Sequence, residues 1–176
     1  MSNPFLASDP GAPRLCHTVG SPIGALLLTG DGHALTGLYM LDGGGHPAGG
    51  TAGFRRSAEA FGDVAAQLEA YFDGQLKEFT VALAPRGSPF RLAVWAELTK
   101  IPYGSTASYG DIARALGKSP VASRAVGSAN GANPIAVIVP CHRVIGSDGS
   151  LTGYGGGLAR KELLLRLEGA GPVTLW

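Results

Sequence analysis

A mixed α/β (α+β) chain in two parts is what the sequence predicts: a small N-terminal β-sheet-plus-helix domain over residues 1–86, then a mainly helical domain over residues 87–176. The second part carries a helix-turn-helix and a candidate active-site cysteine. Three observations lead there. Apolar runs broken by glycine turns fill the first half and give way to a single helical stripe. The second half instead repeats helix starts, a serine followed by a proline, and helix stops at glycine. The formal charge also changes sign: residues 1–85 hold 4 Lys+Arg against 8 Asp+Glu, a net of −4, and residues 86–176 hold 10 against 5, a net of +5. The C-terminal part is therefore the candidate polyanion-binding part of a chain whose overall charge is only +1.

Residues 1–13, with three prolines, read as a loose leader. Cys16 and His17 open the first strand, where core packing explains the cysteine. A hairpin follows: Ile23 to Leu28, a Gly30-Asp31-Gly32 turn, then Ala34 to Tyr39. Gly43 to Gly53 reads as a mobile glycine-rich loop. Arg56 to Leu76 carries Ala58, Phe61, Val64, Ala65, Leu68, Tyr71 and Phe72 at helical spacing. Glu78 to Leu83 reads as another short strand, and Ala84-Pro85-Arg86-Gly87 as the boundary between the two parts.

Ser88-Pro89 starts a helix whose apolar face is Phe90, Val94, Trp95 and Leu98. Two short helices follow, one from Ser108 closed by Gly117, the next capped by Ser119 with Pro120 at its first position and running over Val121 to Asn130. This pair reads either as a helix-turn-helix or as an ordinary αα-hairpin. On the second helix Ala122, Ala125, Gly127, Ser128 and Ala129 are small, and Arg124 is its one long charged residue. Small residues let a backbone approach a narrow groove and offer little to read bases with, which favours docking in the minor groove without sequence specificity. Gly146 to Gly149 is a turn, Thr152 to Gly157 a flexible loop, and Leu158 to Gly169 the last helix, burying Leu163, Leu164 and Leu167. Glu168 ends that helix, where the dipole disfavours a carboxylate, so it is either solvated or buried with a partner.

No run of 18 apolar residues is present, so no membrane span is expected, and Met1 to Phe5 lacks the basic and apolar regions of a secretory signal. The two cysteines, Cys16 and Cys141, form no metal or disulfide spacing, which suits a reducing cytoplasm. The stretch of greatest interest is Asn133 to Gly146. Ile135 to Val139 reads as a buried strand that Pro140 stops. Cys141 then stands beside His142 and Arg143, two potentially cationic groups of the kind that depress a thiol pKa and make a nucleophile. A packed core cysteine is the alternative.

Pro140-Cys141-His142-Arg143-Val144, in the company of Tyr109, Arg124, Asn133 and Gly155-Gly156-Gly157, resembles the alkyl-acceptor region of the O6-alkylguanine-DNA alkyltransferases, the methylated-DNA–protein-cysteine methyltransferases. The similarity runs from about Pro89 to Gly169, with a weaker likeness before it. The resemblance implies direct-reversal DNA repair: irreversible transfer of a methyl or larger alkyl group from O6 of guanine, with O4 of thymine as a second candidate position, to Cys141. It implies double-stranded DNA as partner, a monomer, and neither cofactor nor metal.

The same resemblance assigns roles. Cys141 matches the acceptor, His142 the histidine that relays the thiol proton through a water, and Glu168 the glutamate holding that histidine. Asn133 matches the asparagine that ties the turn around the cysteine, and Tyr109 the tyrosine touching phosphate and N3 of the lesion. Arg124 matches the finger filling the gap left by the flipped nucleotide, with Ala125, Ser128 and Ala129 on the same DNA-facing helix. The carbonyls of Cys141 and Val144 would receive the guanine amino group, and the Gly155 N–H, next to Tyr154, would approach O6. Glycine stands at 155 where the family often has serine, and Asn130 stands where some relatives have an apolar residue, making the pocket wall more polar. A non-catalytic lesion binder would need no thiol, and a cysteine hydrolase or thiol redox enzyme would turn over and ignore DNA.

Overall fold

The structure, a computed structural model, describes residues 3–7, 9–43, 47 and 50–170. Much of the glycine-rich stretch and part of the leader lie outside the described residues. Contacts divide the chain into two compact units, one of Met1–Arg86 with Pro134–Ala136, the other of Gly87–Asn133 with Val137–Trp176.

The first unit is built on a four-stranded sheet of order β3-β2-β1-β4: β1 Leu15–Val19, β2 Leu26–Gly30, β3 Leu35–Met40 and β4 Arg55–Arg56. The expected hairpin is the antiparallel β2–β3 pair, in which Leu28 faces Leu38. Asp31 holds its turn, accepting from the backbone N–H of His33 and Ala34 at 2.8 Å each. Every residue of β2 is buried, as an apolar central strand should be. Helix α1 spans Gly62–Phe72 and buries Val64, Leu68 and Tyr71 at helical spacing. It starts later than the stripe suggested: Arg55–Arg56 pairs in parallel with β1, and Glu59–Phe61 forms a 3-10 turn before the helix.

The strand expected over Glu78 to Leu83 does not form. Only Leu83 pairs, in a single parallel bridge to Leu35. Before it, the Gln67 side chain takes the place of a strand partner, accepting from the Thr80 N–H and donating to its hydroxyl, both at 2.9 Å.

The second unit is helical. Helix α2, Pro89–Leu98, is capped by Ser88, whose Oγ accepts from the Arg91 N–H, and has proline in its first turn. Helix α3, Tyr109–Ala115, begins with a reciprocal cap between Ser108 and Asp111. Gly117 leaves it at φ +67°, a left-handed turn that glycine makes without a Cβ penalty. A 3-10 turn over Pro120–Ala122 leads into α4, Ser123–Gly131. The two helices pack on each other across this link, as both readings of the pair require. Trp95 pins α2 to α4 by donating from Nε1 to the Ala129 carbonyl at 2.8 Å. A two-stranded parallel pair, β5 Ala107–Ser108 with β6 Val144–Ile145, and α5, Leu158–Leu167, complete the unit.

Two expectations fail here. Ile135 to Val139 is not a strand: Ile135 makes one bridge to Leu38, and the chain then turns over 136–138. Val137, buried and β-branched, sits at φ +70°, a conformation such residues rarely adopt. On α5, Leu163 is exposed, and the buried face is Lys161, Glu162, Leu164 and Leu165. Two charged side chains thus occupy a face that apolar spacing had given to leucines.

Candidate active site

Cys141 opens a 3-10 turn, Cys141–Arg143, rather than ending a strand. Pro140 (φ −81°, ψ 63°) forms the centre of an inverse γ-turn closed by Cys141 N–H to the Val139 carbonyl at 2.8 Å. Asn133 fastens the turn by donating from Nδ2 to the same carbonyl at 2.8 Å. The strained Val137 and this γ-turn aim the cysteine where an extended strand could not.

The 3-10 turn also buries His142 completely and Arg143 nearly so. His142 Nε2 meets Glu168 Oε1 at 2.8 Å, and Arg143 holds both oxygens of the same carboxylate, Nε to Oε2 at 2.8 Å and Nη2 to Oε1 at 2.9 Å. Arg143 Nη1 also donates to the Ile101 carbonyl at 2.6 Å. Glu168 is thus the buried, partnered form of the two alternatives. The hand of the histidine follows from this clamp. A guanidinium that never loses its charge requires a carboxylate opposite it, and a carboxylate only accepts. Nε2 must therefore carry the proton, and Nδ1, buried with no partner among the described residues, is left as a bare acceptor. Burial lowers the His142 pKa against the opposing pull of Glu168, which keeps the ring neutral and able to accept a proton.

The thiol does not have the depressed pKa that His142 and Arg143 suggested. Burial pushes it above its ordinary value of 9.0, and a side-chain hydrogen bond with Asn133 and the charge of Lys161 draw it back in part. The physical reason is that His142 is neutral and Arg143 is spent on Glu168. The cation that does act on the sulfur is Lys161, which sequence reasoning missed. Its Nζ is wholly buried and donates to the Val144 carbonyl at 2.6 Å and the Thr152 carbonyl at 2.7 Å. Burial pushes its pKa down to about 8, with Cys141 opposing that shift. A lysine four residues after Gly157, in a helix with leucines around it, was the available signal.

The other predicted residues are placed as follows. The Asn130 amide nitrogen donates to the Cys141 carbonyl at 3.3 Å, and Val144, fully buried, offers its carbonyl to Lys161. The Tyr109 hydroxyl lies 3.4 Å from the Thr152 carbonyl that Lys161 also holds, and its ring packs near Gly127. Tyr154 is half-buried, and Gly155 is exposed with open space where a Cβ would stand, so serine would fit there. Arg124, Ala125 and Ser128 form one exposed face of α4. Ala129 does not share it. At 2% exposure it faces the core beside Trp95, because it falls with Val126 and Asn130 on the opposite side of the helix. No group of three or more His, Cys, Asp or Glu among the described residues could hold a metal ion, and no helix among them is long and apolar enough to cross a membrane.

The fold and site define a class: two short helices packed across a tight link, beside a buried thiol whose neighbouring histidine is held by a buried, clamped carboxylate. Two profiles cover most of the chain, the 6-O-methylguanine DNA methyltransferase ribonuclease-like domain over residues 15–85 and the DNA binding domain of the same name over residues 89–170. The methylated-DNA--protein-cysteine methyltransferase of Mycolicibacterium paratuberculosis is 54% identical over 151 residues, 86% of this chain and 90% of that one. Its counterpart in Methanosarcina acetivorans is 51% identical over 150 residues, 85% of this chain and 95% of that one. The crystal structure of Mycobacterium tuberculosis OGT in complex with DNA superposes with a TM-score of 0.82 at 51% identity, covering 89% of this chain and 93% of that one. The chain belongs to the methylated-DNA–protein-cysteine methyltransferase family.

Proposed function

We propose that this chain repairs DNA by direct reversal, taking the alkyl group from O6 of guanine onto Cys141 irreversibly, one lesion per molecule. The observation that carries this reading is the set of groups behind the thiol: the Asn133 hydrogen bond and the Lys161 charge acting on Cys141, and the clamped Glu168 on His142. It is a thiol version of nucleophile, base and orienter. The family to which the chain belongs and the DNA-bound relative agree with it.

Docking supplies the substrate. The alkylated base lies inside the duplex stack and has to be extruded, which costs a few kcal/mol. Backbone contacts from the exposed small face of α4 offset part of that cost without reading sequence, and Arg124, exposed on the same face, fills the gap in the stack. His142 Nδ1 takes the thiol proton through a water, and Lys161 steadies the resulting thiolate across the same buried volume. The sulfur attacks the alkyl carbon, the new C–S bond replaces the C–O6 bond, and the electron pair leaves on O6. Tyr109 donates a proton to the departing base in this reading; its hydroxyl, now 3.4 Å from the Thr152 carbonyl that Lys161 also holds, would exchange that long contact for the base. The product is a thioether with no carbonyl for water to attack, so the cysteine is not regenerated. A thiol used once in this way belongs in a reducing compartment, the cytoplasm.

The test is to incubate the protein with an oligonucleotide carrying one O6-methylguanine and map the modified peptide. The methyl group is expected on Cys141, and Cys141→Ser should bind duplex DNA yet remove nothing. Methyl on Cys16, or repair by the serine variant, contradicts the reading.

A further inference from the structure

Two buried polar atoms on residues that adjoin the reactive cysteine have no hydrogen-bond partner among the described residues, His142 Nδ1 and Asn130 Oδ1. The first accepts the thiol proton in the mechanism above, and the second has no task there. Asn130 is 3% exposed, and its amide nitrogen donates to the Cys141 carbonyl at 3.3 Å. A carbonyl oxygen only accepts, so chemistry fixes the orientation of the amide and leaves Oδ1 as the bare acceptor. The Cys141 carbonyl is already filled, because the Val144 N–H donates to it as well. Asn130 is thus tied to the backbone of the reacting residue by a hydrogen bond, and His142 by the peptide bond. A bare buried acceptor is costly to keep, and such an atom marks the place of a partner that brings a proton.

Both atoms are acceptors, and a group that joins two acceptors must bring two donors. A water brings two and keeps lone pairs to accept with. The relay asks for such a molecule: it accepts from the Cys141 S–H and donates to His142 Nδ1, which leaves its second hydrogen to place. In a buried site that hydrogen needs an acceptor, or the water is itself a stranded donor. Sγ, Nδ1 and Oδ1 together give it three partners, the usual number for an internal water bound to otherwise unpaired polar groups. With two partners alone a water turns about the line between them. A third fixes which hydrogen points at the histidine.

We propose that Asn130 Oδ1 holds the proton-relay water, accepting its second hydrogen while the first is aimed at His142 Nδ1. This rests on the alkyl-transfer reading above. Asn130 is a positioning residue, since it gains and loses no proton. The thiol S–H bond breaks with its electron pair left on sulfur, the proton joins the water, and the water's own proton passes to Nδ1. The hydrogen resting on Oδ1 stays with the water throughout.

Single-turnover rates against pH decide it, measured on a single-stranded oligonucleotide carrying O6-methylguanine, in which no base pair has to be broken. Asn130→Leu should lose about tenfold at pH 7, the size of one neutral hydrogen bond, and less than His142→Ala loses. The loss should shrink as pH rises, because a thiol that ionises without the relay no longer needs its water. The charged and titratable groups around the thiol, Lys161 and His142 with Glu168 and Arg143 behind the histidine, are all retained in this variant, so a displaced profile reports the relay. Added to His142→Ala, Asn130→Leu should cost little more, since the water it orients has lost its destination. Asn130→Met, whose flexible chain fills irregular gaps, gives the same comparison if leucine impairs folding. A loss independent of pH, a loss that multiplies with that of His142→Ala, or no loss at all would overturn the proposal. A wild type that leaves Cys141 unmethylated sinks the alkyl-transfer reading itself, a distinguishable result.

Discussion

A buried thiol is a weak acid, and a protein that needs its anion must supply both a proton acceptor and a nearby positive charge. In the proposed mechanism the two tasks fall to different residues. His142, kept neutral by burial and oriented by Glu168, is the acceptor, and Lys161 is the charge. Arg143 serves neither directly. It is a positioning residue that fixes Glu168 as a carboxylate and so fixes the tautomer of His142. The sign of the pH dependence follows. Because burial holds the Cys141 pKa above 9.0, the thiolate fraction, and with it any rate that bypasses the relay, grows as pH rises through neutrality. In single-turnover profiles at neutral pH, His142→Ala should lose about a hundredfold in rate, in the range general bases contribute. Glu168→Gln should lose less, and both should recover in part at high pH. Lys161→Met should raise the thiol pKa further, cost about tenfold at pH 7, and shift the profile to higher pH. Profiles superimposable on wild type would remove these residues from the mechanism.

Among the elements, α4 divides its two faces between two jobs. Arg124, Ala125 and Ser128 face outward, where the proposed docking would use them, while Val126, Ala129 and Asn130 face inward, and the Asn130 amide donates to the Cys141 carbonyl. Arg124→Ala should slow repair of duplex DNA much more than reaction with free O6-benzylguanine, since a free base needs no extrusion. Equal losses on both would contradict the finger role. The elements legible in the sequence were those with local signals: the β2–β3 hairpin with its Asp31 turn, and α2 and α3 with their serine caps and Gly117 stop. What stayed hidden depended on distant partners. Five consecutive apolar residues at 135–139 look like a strand to any local rule, and only the left-handed Val137 reveals the turn. The buried face of α5 was misread because Lys161 and Glu168 are buried by carbonyls, a histidine and an arginine drawn from other parts of the unit. The Cys141, His142 and Glu168 alignment was legible only through resemblance, and Lys161 through neither route.

For the whole molecule, the acidic N-terminal and basic C-terminal halves mean that attraction to a polyanion resides in the part bearing α4 and Cys141. The family to which the chain belongs, and the absence of any chemical route back from a thioether, make the protein a stoichiometric reagent. Its capacity for repair is then set by the number of molecules present rather than by a turnover rate. The most direct measurement is the intact mass of the full chain after incubation with a large excess of O6-methylguanine duplex. The account predicts a single added methyl group per chain, all of it on Cys141, with methylguanine consumed up to one equivalent and no further. Continued loss of methylguanine beyond one equivalent, or protein of unchanged mass after repair, would contradict it.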